Sequence, residues 1–225
     1  DFCMDCRPRP CDIFPNGRVR PLLAHKMAIL VVDVQNYVME KHPFSGQFHE
    51  HAQKVVIPNI RRLIETARQL KIEVVFTVME NQTKDGRDRS LDYKLSNFFI
   101  PKGSREAKVV DQLTPLDDEL VIPKTSCSLF NSTNFAYLMR NIGIDTIAVT
   151  GFLTDQCVDQ TIRDGADATG GFWMIGVSDG CAAETAERHA AALNVLRGYC
   201  RMESTQSLIE AMHSEMGGES SKMGD

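Results

Sequence analysis

Runs of almost continuously apolar residues alternate along this chain with stretches whose apolar positions recur at helical spacing. Residues 27–34 (MAILVVDV) and 72–78 (IEVVFTV) each predict a strand buried on both faces. Between them Ile60, Leu63, Ile64 and Ala67 share one helical face, and Pro58 is tolerated in the first turn. Residues 120–122 predict a third strand, stopped by Pro123. Asn131, Ser132 and Thr133 offer N-caps for a helix carrying Phe135, Leu138 and Met139, and Gly143 ends it. Residues 146–150 predict a fourth strand, followed by a helix with Val158, Ile162 and Ala166 on one face that stops at Gly170-Gly171. A fifth strand over 172–177, a helix over 185–196, an edge strand over 199–203 and a closing helix over 205–212 complete the pattern. Residues 79–107 read as a long polar loop with Asp85-Gly86, Pro101 and Gly103 as turn signals and short structure around 93–99. A loop of that length in a compact domain is more often functional than idle.

Such alternation implies an α/β domain with a mainly parallel sheet covered on both faces. The domain is predicted over 25–213, with an extension over 1–24 and a disordered tail over 214–225. With 225 residues and 43% hydrophobic content, one core is the default. The formal charge of -5 supplies no basic footprint for nucleic acid or an anionic membrane. The apolar run at 27–32 is far below the roughly 20 residues that span a bilayer. Small-molecule chemistry or protein partners remain.

The chain has seven cysteines. Cys127, Cys157, Cys181 and Cys200 are scattered through apolar stretches, a usage that suits a reducing compartment and hence the cytoplasm. Cys3, Cys6 and Cys11 sit in the Pro- and Arg-rich leader, where a zinc site would need a fourth ligand and the nearest candidate, His25, is distant. No metal or other cofactor is expected. In open α/β sheets ligands bind outside the carboxyl ends of the strands. That rule selects Asp33 at the end of strand one, Lys124 directly after strand three and Cys157 directly after strand four. Cys157 also stands at a helix start, where free N–H groups and the positive end of the macrodipole favour a thiolate. Alone, each of the three has an ordinary structural explanation: a packed cysteine, a strand-end cap, a solvated lysine. Together at one rim they form an acid, a cation and a nucleophile.

These residues lie in three segments that resemble the isochorismatase-like cysteine hydrolases, the superfamily that includes nicotinamidase, carbamoylsarcosine amidohydrolase and ureidoacrylate amidohydrolase. The segments are 28–36 (AILVVDVQN), 121–125 (VIPKT) and 150–158 (TGFLTDQCV), and the likeness runs from about residue 27 to 212. The resemblance implies a three-layer α/β/α domain with a six-stranded, mainly parallel sheet and a catalytic triad of Asp33, Lys124 and Cys157. It also implies a cis peptide at Phe152-Leu153 that aims the N–H groups of Leu153 and Cys157 into an oxyanion hole. The implied reaction is hydrolysis of a linear amide or ureido C–N bond of a small molecule through a thioester. The vinyl ether hydrolases of the superfamily lack a cysteine at this position, so Cys157 argues for the amide reaction. A protein that binds a ligand without turning it over is the other alternative. Nicotinamidases carry an Asp-x-His metal site after strand two; here Met79 and Asn81 fall at those positions, and His49 and His51 read as a solvated pair. Candidate substrate-binding residues are Gln35, Asn36, Asn81, Arg87, Tyr93, Phe130 and Asn131. Arginine in the long loop, Arg87 or Arg89, would suit a substrate carboxylate such as that of a ureido acid. His189 reads as a core or interface histidine, and the resemblance implies a homo-oligomer, a dimer or tetramer.

Overall fold

The computed structural model describes residues 18, 20–41 and 44–216. The expectations for Cys3, Cys6, Cys11 and residues 217–225 lie outside the described residues. Six strands form one parallel sheet: β1 (Met27–Val32), β2 (Glu73–Met79), β3 (Leu120–Lys124), β4 (Thr146–Phe152), β5 (Trp173–Ala182) and β6 (Arg201–Glu203), in the order β3-β2-β1-β4-β5-β6. Helices cover both faces, so β1 and β4 are buried along their whole length, as continuous apolar runs require. The layers are α/β/α.

The helices are α1 (Gly46–His51), α2 (Ile57–Gln69), α3 (Leu91–Leu95), α4 (Leu129–Ser132), α5 (Phe135–Asn141), α6 (Asp159–Asp167), α7 (Ala186–Leu196) and α8 (Thr205–Met216). A π-helical stretch at Ala52–Val56 joins α1 to α2 without a break. The apolar face of α2, with Ile60, Leu63, Ile64 and Ala67, is buried. Several boundaries differ from the sequence pattern. Strand three is not stopped by Pro123 but runs through it to Lys124, because β3 is an edge strand and a proline there costs no ladder bond on its open side, and β4 runs on to Phe152. Strand one stops at Val32 because Asp33 takes a left-handed φ of 54°, which no strand continues. The helix predicted after Asn131 divides in two: Ser128 caps α4 by accepting from the Asn131 N–H at 3.1 Å, and α5 starts beyond Asn134. Strand five runs on to Ala182, past its predicted end.

The long loop is stitched down rather than open. Asn81 Oδ1 accepts from the Ile100 N–H at 2.8 Å, and Gln35 forms an isolated antiparallel bridge with Val109. Chain direction across the sheet reverses between β1 and β4, and that switch point opens a crevice at the carboxyl ends of the strands.

Candidate active site

Register delivers the three candidate catalytic residues to that crevice. Val32 pairs with Thr77 on one side and Gly151 on the other, while Lys124 pairs with Met79. Asp33, one residue past β1, therefore lies beside Thr77, whose hydroxyl donates to Asp33 Oδ1 at 2.7 Å. Lys124 ends β3 and reaches across the end of β2 to bring Nζ within 2.8 Å of Asp33 Oδ2 and 3.3 Å of Cys157 Sγ. A third bond runs from Nζ to the Ser126 carbonyl at 2.9 Å. Cys157 arrives through a tight exit from β4. Gly151, at φ 111°, runs so close to β1 that any Cβ would strike the Val32 carbonyl. The next peptide bond but one, Phe152-Leu153, is cis. A π-helical turn, Thr154–Val158, then carries Cys157 just ahead of α6.

The site is deeply buried: Asp33 and Lys124 are 0% exposed and Cys157 4%. A charge at such depth persists only when paired, and the Lys124 and Asp33 pair meets that condition. Burial works against the Lys124 ammonium, but the charge of Asp33, helped by Cys157, more than offsets it and holds the lysine pKa above its ordinary value. A second thiol joins the site. Cys127 Sγ lies 3.6 Å from Cys157 Sγ and accepts a hydrogen bond from it. The hydrogen bond from Cys157 brings Cys127 down to about 7 against burial, with Lys124 assisting. That same hydrogen bond, and burial after it, hold the remaining proton on Cys157 well above the usual thiol value. The first proton of the pair leaves easily and the second does not. Tyr93 stands beside both sulfurs, and burial first, then their negative charge, keeps its phenol protonated.

A cavity of about 710 Å³ opens above Cys157. Of the predicted substrate-binding residues Tyr93 lines it, as do Leu153 and Cys157 of the predicted oxyanion hole. The others are placed elsewhere. Gln35 spends its amide on the sheet: Oε1 accepts from the Met79 N–H at 2.7 Å, and Nε2 donates to the Met79 and Glu106 carbonyls. Asn36 donates to the Arg105 carbonyl at 3.0 Å, and Asn81 is held by Ile100. Arg87 is exposed and paired with Asp85 at 3.1 Å, while Arg89 bonds the Gly86 and Phe98 carbonyls. Phe130 packs its ring 5.4 Å from Phe135, and Asn131 lines a separate shallow depression. No loop arginine reaches the cavity. Its basic member is Arg163, held by Asp159 at 2.7 and 3.0 Å, and Asp92, Asp155, Asp159 and Asp164 stand around it.

Cys127 and the α6 residues Gln160, Arg163 and Asp164 are lining residues that the sequence reading did not name. Gln160 and Asp164 follow Cys157 at i+3 and i+7, a spacing that puts them on its side of the helix. His49 faces the Val38 carbonyl at 3.3 Å and His51 is exposed. His189 Nδ1 meets the Thr154 hydroxyl at 2.7 Å, beneath the π-helical turn. Among the described residues, no group of three or more His, Cys, Asp or Glu side chains could hold a metal ion.

Residues 27–207 match the isochorismatase domain family. The chain is 32% identical over 146 residues to N-carbamoylsarcosine amidase of an Arthrobacter species, covering 62% of this chain but 54% of that one, so it spans about half the length of that relative. It is 32% identical over 171 residues to a probable inactive nicotinamidase of Arabidopsis thaliana, covering 73% of this chain and 84% of that one. Among solved structures, a cysteine hydrolase from Pseudomonas syringae pv. phaseolicola 1448A superposes with a TM-score of 0.78 at 22% identity, over 88% of this chain and 97% of that one, a likeness of fold.

Proposed function

The chain belongs to the isochorismatase family, and from that premise we propose that it is a cysteine amidohydrolase cleaving a linear amide or ureido C–N bond of a small molecule. The observation that carries this reading is the contact of Lys124 Nζ with both Asp33 and Cys157, the last of which lines a cavity. Deprotonated Cys157 attacks the carbonyl carbon, and the N–H groups of Leu153 and Cys157 meet the tetrahedral oxyanion; losing one such donor typically costs about 10²–10³ in rate. Asp33 takes the thiol proton and returns it to the leaving amine. Lys124 fixes the carboxylate and adds positive potential at the sulfur. Water activated by Asp33 then opens the thioester, releasing the acid. The N-carbamoylsarcosine amidase likeness points to the ureido class. The aspartates around the cavity favour neutral or cationic substrates over those ending in a carboxylate.

Ammonia release should be screened over primary amides and ureido compounds, neutral and charged, with Cys157→Ala alongside. Turnover that disappears in the variant supports the reading. Equal turnover in parent and variant contradicts it.

A further inference from the structure

Cys127 has no part in the steps above, yet it lines the same cavity as Cys157 with its sulfur 3.6 Å away. We propose that Cys127 is a resolving thiol, a modification site at which Cys157, once oxidised by a peroxide, is captured as a Cys127–Cys157 disulfide that closes the active site reversibly.

The chemistry balances in two steps. The Cys157 thiolate attacks one peroxide oxygen, forming an S–O bond and breaking the O–O bond; hydroxide leaves and a sulfenic acid remains. Cys127 sulfur then attacks Cys157 sulfur, forming the S–S bond and breaking the S–O bond; the departing hydroxide and the thiol proton make water. Two thiols have lost two electrons to one peroxide. A dithiol reductant returns them.

Geometry favours each step. The sulfurs need to close from 3.6 Å to the roughly 2.0 Å of a disulfide. Cys127 lies in the bend between Lys124 and Ser128, outside any strand or helix, where such a shift disturbs no ladder hydrogen bond. It is half-buried rather than sealed, and the cavity admits a molecule as small as hydrogen peroxide. Lys124 stabilises thiolate on this pair, the condition for both oxidation and attack. Cys181 and Cys200 do not meet these conditions together. Both are buried off the cavity, and among the described residues no cation is in hydrogen-bond contact with either, Cys181 lying against the Val149 carbonyl and Cys200 against that of Leu196.

The test reads covalent state and so stands apart from the substrate reading. The reduced full-length chain is treated with a slight excess of hydrogen peroxide, alkylated and digested with trypsin, which places Cys127 in peptide 125–140 and Cys157 in peptide 141–163. The expected product is these two peptides linked, released by dithiothreitol. In Cys127→Ser and in Cys127→Ala, Cys157 should instead gain two or three oxygens, and the parent should return about tenfold more thiol at Cys157 on reduction than either variant. The proposal is overturned if Cys157 of the parent is over-oxidised as fast as in the variants. It is equally overturned if Cys157 bridges to another cysteine, Cys3, Cys6 and Cys11 included, or stays unmodified.

Discussion

Cys127 and Cys157 face a cavity beside a lysine, whereas Cys181 and Cys200 are packed around β5 in apolar surroundings. The residue type is the same in both pairs. In the first pair, hydrogen bonding between the thiols and the charge of Lys124 bring Cys127 to about 7. In the second, burial pushes Cys200 up to about 12 and Cys181 upward as well. The difference teaches that depth alone makes a thiol inert, while depth with a cation and a partner makes it a candidate nucleophile.

Replacing each cysteine is the strongest way to break this comparison. Cys157→Ala should lower kcat/KM by at least about 10⁴-fold, and Cys181→Ala should stay within about twofold of the parent. Comparable losses in the two variants would mean that the effect is structural. Removing the cation comes next. Lys124→Met leaves the Asp33 carboxylate buried and alone, and urea unfolding should show a loss of about 3–5 kcal/mol, against about 1 kcal/mol for Cys200→Ala. Adding Asp33→Asn to Lys124→Met should restore part of that stability, because no unpaired charge is left. The lysine pKa is raised, so its contribution is complete below about 10.4 and fades only as pH climbs through the folded value. The lysine's own contribution should accordingly be equal at pH 7 and pH 9, and any growth of the Lys124→Met deficit over that range comes from Cys127, whose deprotonation near 7 Lys124 assists.

Alkylation by iodoacetamide sharpens the comparison without mutation. Labelling in peptide 125–140, at Cys127, should rise with pH through about 7 and then level. Peptide 141–163 should follow only at higher pH, because the Cys157 proton is held by the hydrogen bond to Cys127 and by burial, and Cys200 should stay unlabelled until the fold is lost or pH nears 12. Parallel labelling of all four thiols would erase the distinction. The smallest effect concerns the cavity mouth, where Asp92 is exposed. Asp92→Asn should raise kcat/KM for a carboxylate-bearing amide about two- to threefold at low ionic strength, and salt should remove the gain.

Most of the fold was legible in the sequence because parallel strands buried on both faces must be largely apolar, as 27–32 is throughout and 147–149 is at the centre of β4. The convergence of Asp33, Lys124 and Cys157 was legible for a related reason. All three lie at or just beyond strand ends, and a parallel sheet collects its strand ends at one edge. Their neighbours were less so. Gln35 and Asn36 adjoin Asp33 in sequence, but a left-handed residue and a strand edge with open hydrogen-bonding groups turn their amides to the backbone. Arg87 looked like a carboxylate ligand because loop residues carry no periodicity from which direction can be read, and the fold points it to solvent. Cys127 stands three residues after Lys124, and only the bend following β3 shows that this spacing folds its sulfur back onto Cys157.

The central claim is that Cys157, and not its neighbour, forms the covalent bond to substrate. A turned-over amide or ureido compound, quenched in acid during the steady state and digested with trypsin, reports this directly through the mass of each cysteine peptide. The acyl group should be found on peptide 141–163, at Cys157, and vanish in Cys157→Ala. An acyl group on peptide 125–140, or hydrolysis that continues in Cys157→Ala, would contradict the assignment.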